Sequence, residues 1–224
     1  MDFTSGAFWA ALGSIILANV VLSGDNAVVI AMAARSLPPH QQKKAIVWGS
    51  AAAIVMRIGL TLIAVELLRW PYLKIAGAVL LLWIGVSLLR SEPEPQGASP
   101  DRGMFAAVRT ILVADLVMSL DNVLAVAAAA HGDTVLLILG LVISVPLIVF
   151  GSTLLAGLMQ RFPIIVTLGA ALLGFLAGEM VMGDPALTSR VGEPPEAAVD
   201  GVGVAGAAFV VGVGRWLQRR SPPA

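Results

Sequence analysis

The sequence predicts an all-α membrane protein of about seven transmembrane helices, arranged as a 3+3 inverted-topology repeat plus a C-terminal helix. Three observations carry this. The 224 residues are 58% hydrophobic and only 12% charged, about half the charge of an ordinary soluble domain. Seven stretches approach the roughly 20 apolar residues that a bilayer crossing needs. A 17-residue segment near the N-terminus also returns, in register, near the middle of the chain.

In order, the first apolar run covers about 8–34. It lacks a basic segment in front and is too long for a signal peptide's apolar stretch, so it reads as a first spanning helix. The next two fall at 45–68 and 72–90, and "RSLPPHQQKK" separates the first from the second. A fourth, 105–130, follows the Pro- and acid-rich "RSEPEPQGASPDRG", which cannot pack a core of its own and reads as a flexible loop. The fifth and sixth occupy 134–157 and 163–182, and a second flexible loop, "GDPALTSRVGEPPE", comes next. The seventh, 198–214, is short, rich in Gly and Ala, and carries Asp200, so a re-entrant or interfacial segment is its alternative. The chain thus divides into a first repeat at 1–90, a cytoplasmic loop at 91–104, a second repeat at 105–182, an extracytoplasmic loop at 183–197, and a seventh helix with tail at 198–224.

Basic residues give the orientation, because Lys and Arg collect on the cytoplasmic side. Arg35, Lys43, Lys44, Arg90, Arg102, Arg161, Arg215, Arg219 and Arg220 fall on one side; Arg69, Lys74 and Arg190 fall on the other. The expectation is a multi-pass protein of the plasma (inner) membrane, N-terminus outside and C-terminus cytoplasmic. Seven crossings fit that arrangement and six do not.

The internal repeat sets "ANVVLSGDNAVVIAMAA", Ala18 to Ala34, above "ADLVMSLDNVLAVAAAA", Ala114 to Ala130, with eight of 17 positions identical. Ala and Val matches carry little weight in membrane sequence. The polar ones carry more: Ser23 with Ser119, Asp25 with Asp121, Asn26 with Asn122, and Asn19 opposite Asp115. "RWPYLKIAGAVLLLWIGVSLL" from Arg69 likewise resembles "RFPIIVTLGAALLGFLAGEMV" from Arg161. The repeating unit is three helices long. Three is odd, so the copies run through the bilayer in opposite senses, and the two Ser-x-Asp-Asn motifs meet near the midplane about a pseudo-twofold axis.

Several chemistries are excluded by inventory. Cysteine is absent, which removes disulfides, thiolate metal sites and thiol catalysis. His40 and His131 lie in polar connections and leave little for histidine or zinc chemistry. Acids and bases balance at 14 each, so no basic field points to nucleic acid. No P-loop or other nucleotide motif is present, no prosthetic group is implied, and the chain reads as a non-enzyme. The expected partners are a metal ion substrate and the lipid bilayer; a homodimer is compatible with the sequence, which does not fix the number of copies.

What remains is oxygen chemistry inside the membrane. An acid at the centre of a spanning helix costs about 2.5 to 3.5 kcal/mol, so such residues pair with something or serve a site. By helical spacing Asn19, Ser23 and Asn26 share one face, as do Asp115, Ser119 and Asn122. Asp25 and Asp121 lie off those faces, so either they meet another neighbour or the helix is unwound there, for which Gly24 is the signal in the first copy. Carboxylate, amide and hydroxyl oxygens suit Mg²⁺, Ca²⁺ or Mn²⁺ better than Cu or Zn. Met118, if it faced the site, would add a softer atom, although membrane methionines are mostly lipid-facing fillers. The bland reading of all these polar groups is interhelical glue; duplication in an inverted repeat favours a site. Arg57, mid-helix in the second span, needs a counter-charge, and Asp25, Asp115 or Asp121 suits it better than Glu66. Its role is either a structural salt bridge or gating and neutralising of the empty site. Glu66 and Glu179 sit near outer helix ends, where a carboxylate reaches water.

"NVVLSGDNAVVIA" and "DLVMSLDNVLAVA" resemble the two signature motifs of the TerC family of integral membrane proteins, most closely its short YjbE-type branch, over about Ala18 to Met182. The resemblance implies a multi-pass plasma-membrane protein related to metal-ion exporters, some of them similar to manganese exporters, with the motif acids serving the metal. Carried over by position, these are Asp25, Asn26, Asp115, Asp121 and Asn122. Many members carry an acid six residues before the first Asp-Asn, where this chain has Asn19.

The expected function is therefore efflux of Mn²⁺ or a similar divalent cation by alternating access, with Asp25, Asp115 and Asp121 as charged ligands and Asn26, Asn122, Ser119, Asn19 and Ser23 as neutral groups of the site. A rival is a non-transporting membrane factor for metal stress, insertion or metal delivery to exported proteins. An intramembrane aspartyl protease is a remote alternative, because "SGDN" departs from the Gly-x-Gly-Asp pattern of such enzymes.

Overall fold

A computed structural model describes residues 6–67, 70–90, 100–129 and 134–220, and every regular element in them is an α-helix. In chain order these are α1 (Gly6–Leu22), α2 (Gly24–Ala34), α3 (Pro39–Leu67), α4 (Leu73–Arg90), α5 (Pro100–Ala129), α6 (Thr134–Arg161), α7 (Ile164–Met182), α8 (Pro185–Val191) and α9 (Glu196–Arg220). Six of them, α3 to α7 and α9, are long and apolar enough to cross a membrane; α1 and α2 are shorter. The chain is a multi-pass, all-α membrane protein.

The first predicted span is two helices, interrupted at Ser23, whose φ of −108° and ψ of 7° lie near the bridge region, outside helical values. The interruption is therefore a kink of one residue rather than an unwound stretch. Its counterpart is unbroken, since α5 runs straight through Ser119 and Leu120. The difference follows from Gly24, which weakens the helix where Leu120 supports it. The doubtful seventh segment is 25 residues long, two residues longer at its start and six at its end than the 198–214 expected.

The halves pack as the repeat demands. Helix α3 lies along α5, and with the halves exchanged α1 and α2 lie along α6; α4 packs against α7, its own counterpart. One contact is made twice. Gly49 of α3 leaves room for Ile111 of α5, and Gly140 of α6 leaves room for Ile15 of α1. Ile15 and Ile111 are 96 residues apart, the offset of the two motifs, and both are completely buried. A further match joins "GLTLIA" at 59–64 to "GSTLLA" at 151–156. Its two threonines do the same thing: Thr61 Oγ1 donates to the Arg57 carbonyl and Thr153 Oγ1 to the Val149 carbonyl, each at 2.7 Å.

Helix α9 stands outside the repeat and is held by α7 and α4. Gly174 and Gly206 meet backbone to backbone, and a Cβ on Gly178 would lie 2.6 Å from Gly203 Cα. Small residues let two membrane helices approach this closely. At the far end, Gln218 Nε2 donates to the Leu89 carbonyl at 2.6 Å.

The segment after the sixth span is not the flexible loop expected. It contains α8, capped by Asp184, whose Oδ1 accepts from the Ala186 N–H at 2.7 Å, with Pro185 in the first turn. The same carboxylate reaches the start of α4, accepting from Tyr72 N at 2.9 Å and Ile75 N at 3.2 Å. Tyr72 has a φ of 68°, a left-handed conformation that a non-glycine residue adopts only when held there. Asp184 is fully buried. Burial pushes its carboxyl up, but the N–H groups of Tyr72, Ala186, Ile75 and Lys74 more than offset this and hold it below its ordinary value. The Asp-Pro pair at the start of α8 was the available sequence signal. The loop expected at 91–104 is shortened by α5, which begins at Pro100; residues 91–99 lie outside the described residues.

Candidate functional site

Helices α1, α2, α3 and α5 converge where the first span is kinked, and their polar groups meet at Arg57. Apolar helices would leave any of these groups without water, so each must find a protein partner. Arg57 Nη1 donates to Ser23 Oγ at 3.0 Å, and Nε donates to Ser119 Oγ at 3.0 Å. Nη2 donates to Asp115 Oδ1 in a salt bridge. Ser119 Oγ in turn donates to Asp115 Oδ2 at 3.2 Å, one helical turn back along α5. Both carboxylate oxygens are thereby engaged. Ser23, Arg57, Asp115 and Ser119 are 1%, 2%, 4% and 0% exposed, so the cluster touches neither solvent nor lipid.

Among the described residues, Arg57 takes Asp115 as its ion-pair partner. The choice is instructive in terms of the repeat. Asp115 stands opposite Asn19, and Arg57 stands opposite Val149 when "GLTLIA" is laid on "GSTLLA". Each of these two charges lacks a charged counterpart in the other half, and each is the other's partner.

Ser23 occupies the N-cap position of α2 but makes no side-chain cap bond; its hydroxyl oxygen accepts from Arg57 instead. Asp25, half-buried in the first turn of α2, accepts from the Asn26 N–H at 2.7 Å. A carboxylate is favoured at a helix N-terminus, where the unpaired N–H groups carry positive charge. Asn26 is buried, and neither its amide oxygen nor its nitrogen has a hydrogen-bond partner among the described residues. An orphaned buried amide costs about 1 to 3 kcal/mol, which makes Asn26 a candidate group for holding a polar ligand. Met118 is buried in the core between helices rather than facing lipid.

The side chains of Asn19, Asp121 and Asn122 lie outside the described residues, although α5 carries 121 and 122 in helical backbone. Among the described residues no three His, Asp or Glu groups come together as a metal site. What the described part brings together is one guanidinium, one carboxylate and two hydroxyls, with Asp25 and Asn26 on the adjoining turn of α2.

A sealed ion pair joining two inverted motifs in a multi-pass helical bundle defines a polytopic membrane protein with a polar site in its interior. The chain belongs to the integral membrane protein TerC family, whose model matches residues 4–222. It is 45% identical over 170 residues to the uncharacterized membrane protein YjbE of Bacillus subtilis, covering 76% of this chain and 78% of that one. It is 27% identical to the uncharacterized membrane protein YceF of Bacillus subtilis, over 79% of this chain and 72% of that one. The inner membrane protein YgdQ of Escherichia coli K12 is 26% identical, over 74% of this chain and 77% of that one. No solved structure matches.

Proposed function

We propose that this protein exports a divalent cation, with Mn²⁺ as the first candidate, by alternating access at a midplane site shared between the two Ser-x-Asp-Asn motifs. The observation that carries the reading is that a single guanidinium, Arg57, bonds to the serine of each motif and to Asp115.

In this reading Arg57 stands in for the cation when the site is empty. A lone carboxylate buried between apolar helices is strongly disfavoured, and the guanidinium neutralises it. An incoming divalent ion takes Asp115 from Arg57 and adds Asp25, Asp121 and the amide oxygens of Asn26 and Asn122. Ser23 and Ser119, released from Arg57, complete an oxygen set of the kind that hard and borderline divalent ions accept. Displacement of Arg57 also breaks its bonds to Ser23 on the first half and Ser119 on the second, which loosens the seam on which the halves rock. Ion binding and opening are thus one event. Protons competing for the same carboxylates supply the coupling, and the cation leaves toward the side where the N-terminus lies.

In manganese-stressed cells, wild type is expected to lower intracellular Mn while Asp25→Asn and Asp121→Asn fail to. Variants that lower Mn as well as wild type would sink the ligand assignment.

A further inference from the structure

Arg109 belongs to neither group of topology-setting basic residues, because it lies within a span. It is six residues into the apolar Gly103–Leu120 stretch of α5, about 9 Å along the helix. It is exposed on the flank of the bundle, and among the described residues it has no carboxylate, hydrogen-bond or aromatic partner. A groove of about 460 Å³ between α4 and α5 lies beside it, a volume in the range of small-molecule sites. Its walls include Leu80, Trp83, Ile84, Phe105 and Val113. Trp83 is 66% and Phe105 72% exposed, so the groove opens to the surface rather than into the core. Trp83 lies seven residues, about 10 Å, before the end of α4 at Arg90, which puts it level with Arg109.

We propose that this groove holds one anionic phospholipid, with its phosphate on the Arg109 guanidinium and an acyl chain along Leu80, Trp83, Ile84 and Val113. At this depth a guanidinium reaches the headgroup level by extending its own stem along apolar surface, where the available anion is a lipid phosphate. Among the described residues the walls supply no negative charge, so the compensating charge comes from the ligand. A net-negative headgroup is favoured over a zwitterionic one because the latter's own cation cancels the attraction. Aromatic rings at the same level hold the upper acyl segment as interfacial Trp does generally. This inference stands apart from the transport reading, since no residue of the Arg57 cluster takes part.

Purified, delipidated full-length protein would be titrated with phosphatidylglycerol and, separately, phosphatidylcholine of the same chains, and bound lipid counted by native mass spectrometry. Wild type is expected to retain one phosphatidylglycerol about fivefold more tightly than phosphatidylcholine. Arg109→Gln should erase the preference, Arg109→Lys should keep most of it, and Trp83→Ala should weaken both lipids alike. Arg220→Gln should change nothing. The proposal is overturned if Arg109→Gln retains the preference, if wild type has none, or if the groove proves to seat a second copy, seen as a lipid-free dimer that Arg109→Gln dissociates. Should Arg109→Gln fail to fold, loss of the preference at unchanged fold in Trp83→Ala with Arg109→Lys intact would overturn it equally.

Discussion

At the scale of single residues, Arg57 and Asp115 dominate. Removing one partner of a buried pair leaves an uncompensated charge and costs about 3 to 5 kcal/mol, whereas replacing both by apolar groups of similar size is close to neutral. Arg57→Met alone and Asp115→Leu alone should therefore lower thermal stability sharply, and the double variant should recover most of it. Recovery of folding without recovery of transport is the expected result, and equal destabilisation in single and double variants would show that the pair is not an isolated unit. Ser23→Ala takes away the acceptor of one buried guanidinium N–H of Arg57 and should cost about 1 to 3 kcal/mol. The sequence made this cluster partly legible: Arg57 had to pair with an intramembrane acid, and the acids were few. It could not say which acid, because that depends on the rotation of α3 about its axis and on the kink at Ser23. Nor could it show that Ser23 gives up its cap bond, or that Asn26 has no hydrogen-bond partner among the described residues.

At the scale of elements, the region between α7 and α9 departs furthest from expectation. A Pro- and acid-rich stretch looked unable to pack, yet Asp184 gathers the start of α4 and the start of α8 onto one carboxylate. Its role was not legible because the donors at Tyr72 and Ile75 come from a segment more than 100 residues away. Losing a capping carboxylate costs about 0.5 to 2 kcal/mol, and here it caps two helices, so Asp184→Ala should fall at the upper end of that range by thermal unfolding. Its folded-state value is depressed relative to the unfolded chain. The contribution is therefore complete above the ordinary carboxylate value and lost as pH falls below it, through the lower folded value. Wild type should lose stability in that acid window and Asp184→Asn should lose less; a loss of equal size in the variant would contradict the assignment. The close approach of α7 and α9 makes a second prediction. Gly206→Val must push α9 off α7, because the Cβ meets the backbone of Gly174, and the variant should lose stability while Gly212→Val, which faces open space, should not.

At the scale of the whole molecule, the inverted repeat was readable from two sequence correspondences, and the packing of α1 to α7 follows the same exchange of halves. The Gly49–Ile111 and Gly140–Ile15 contacts repeat with the halves exchanged, which the apolar composition of the second and fifth spans concealed. The orientation that the basic residues predict is open to a direct check, because the chain has no cysteine. Ser189→Cys should react with a membrane-impermeant thiol reagent from outside intact cells, and Arg220→Cys only after permeabilisation; the reverse pattern would invert the topology.

The most direct test of the central claim, that the two motifs form one cation site held shut by Arg57, is divalent-ion flux in proteoliposomes of purified protein. Wild type is predicted to move Mn²⁺ under an imposed gradient, with Asp25→Asn and Asp115→Asn each at least tenfold slower while still folded. Wild-type rates in both variants, or no movement of Mn²⁺, Ca²⁺ or Mg²⁺ by wild type under any gradient, would contradict it.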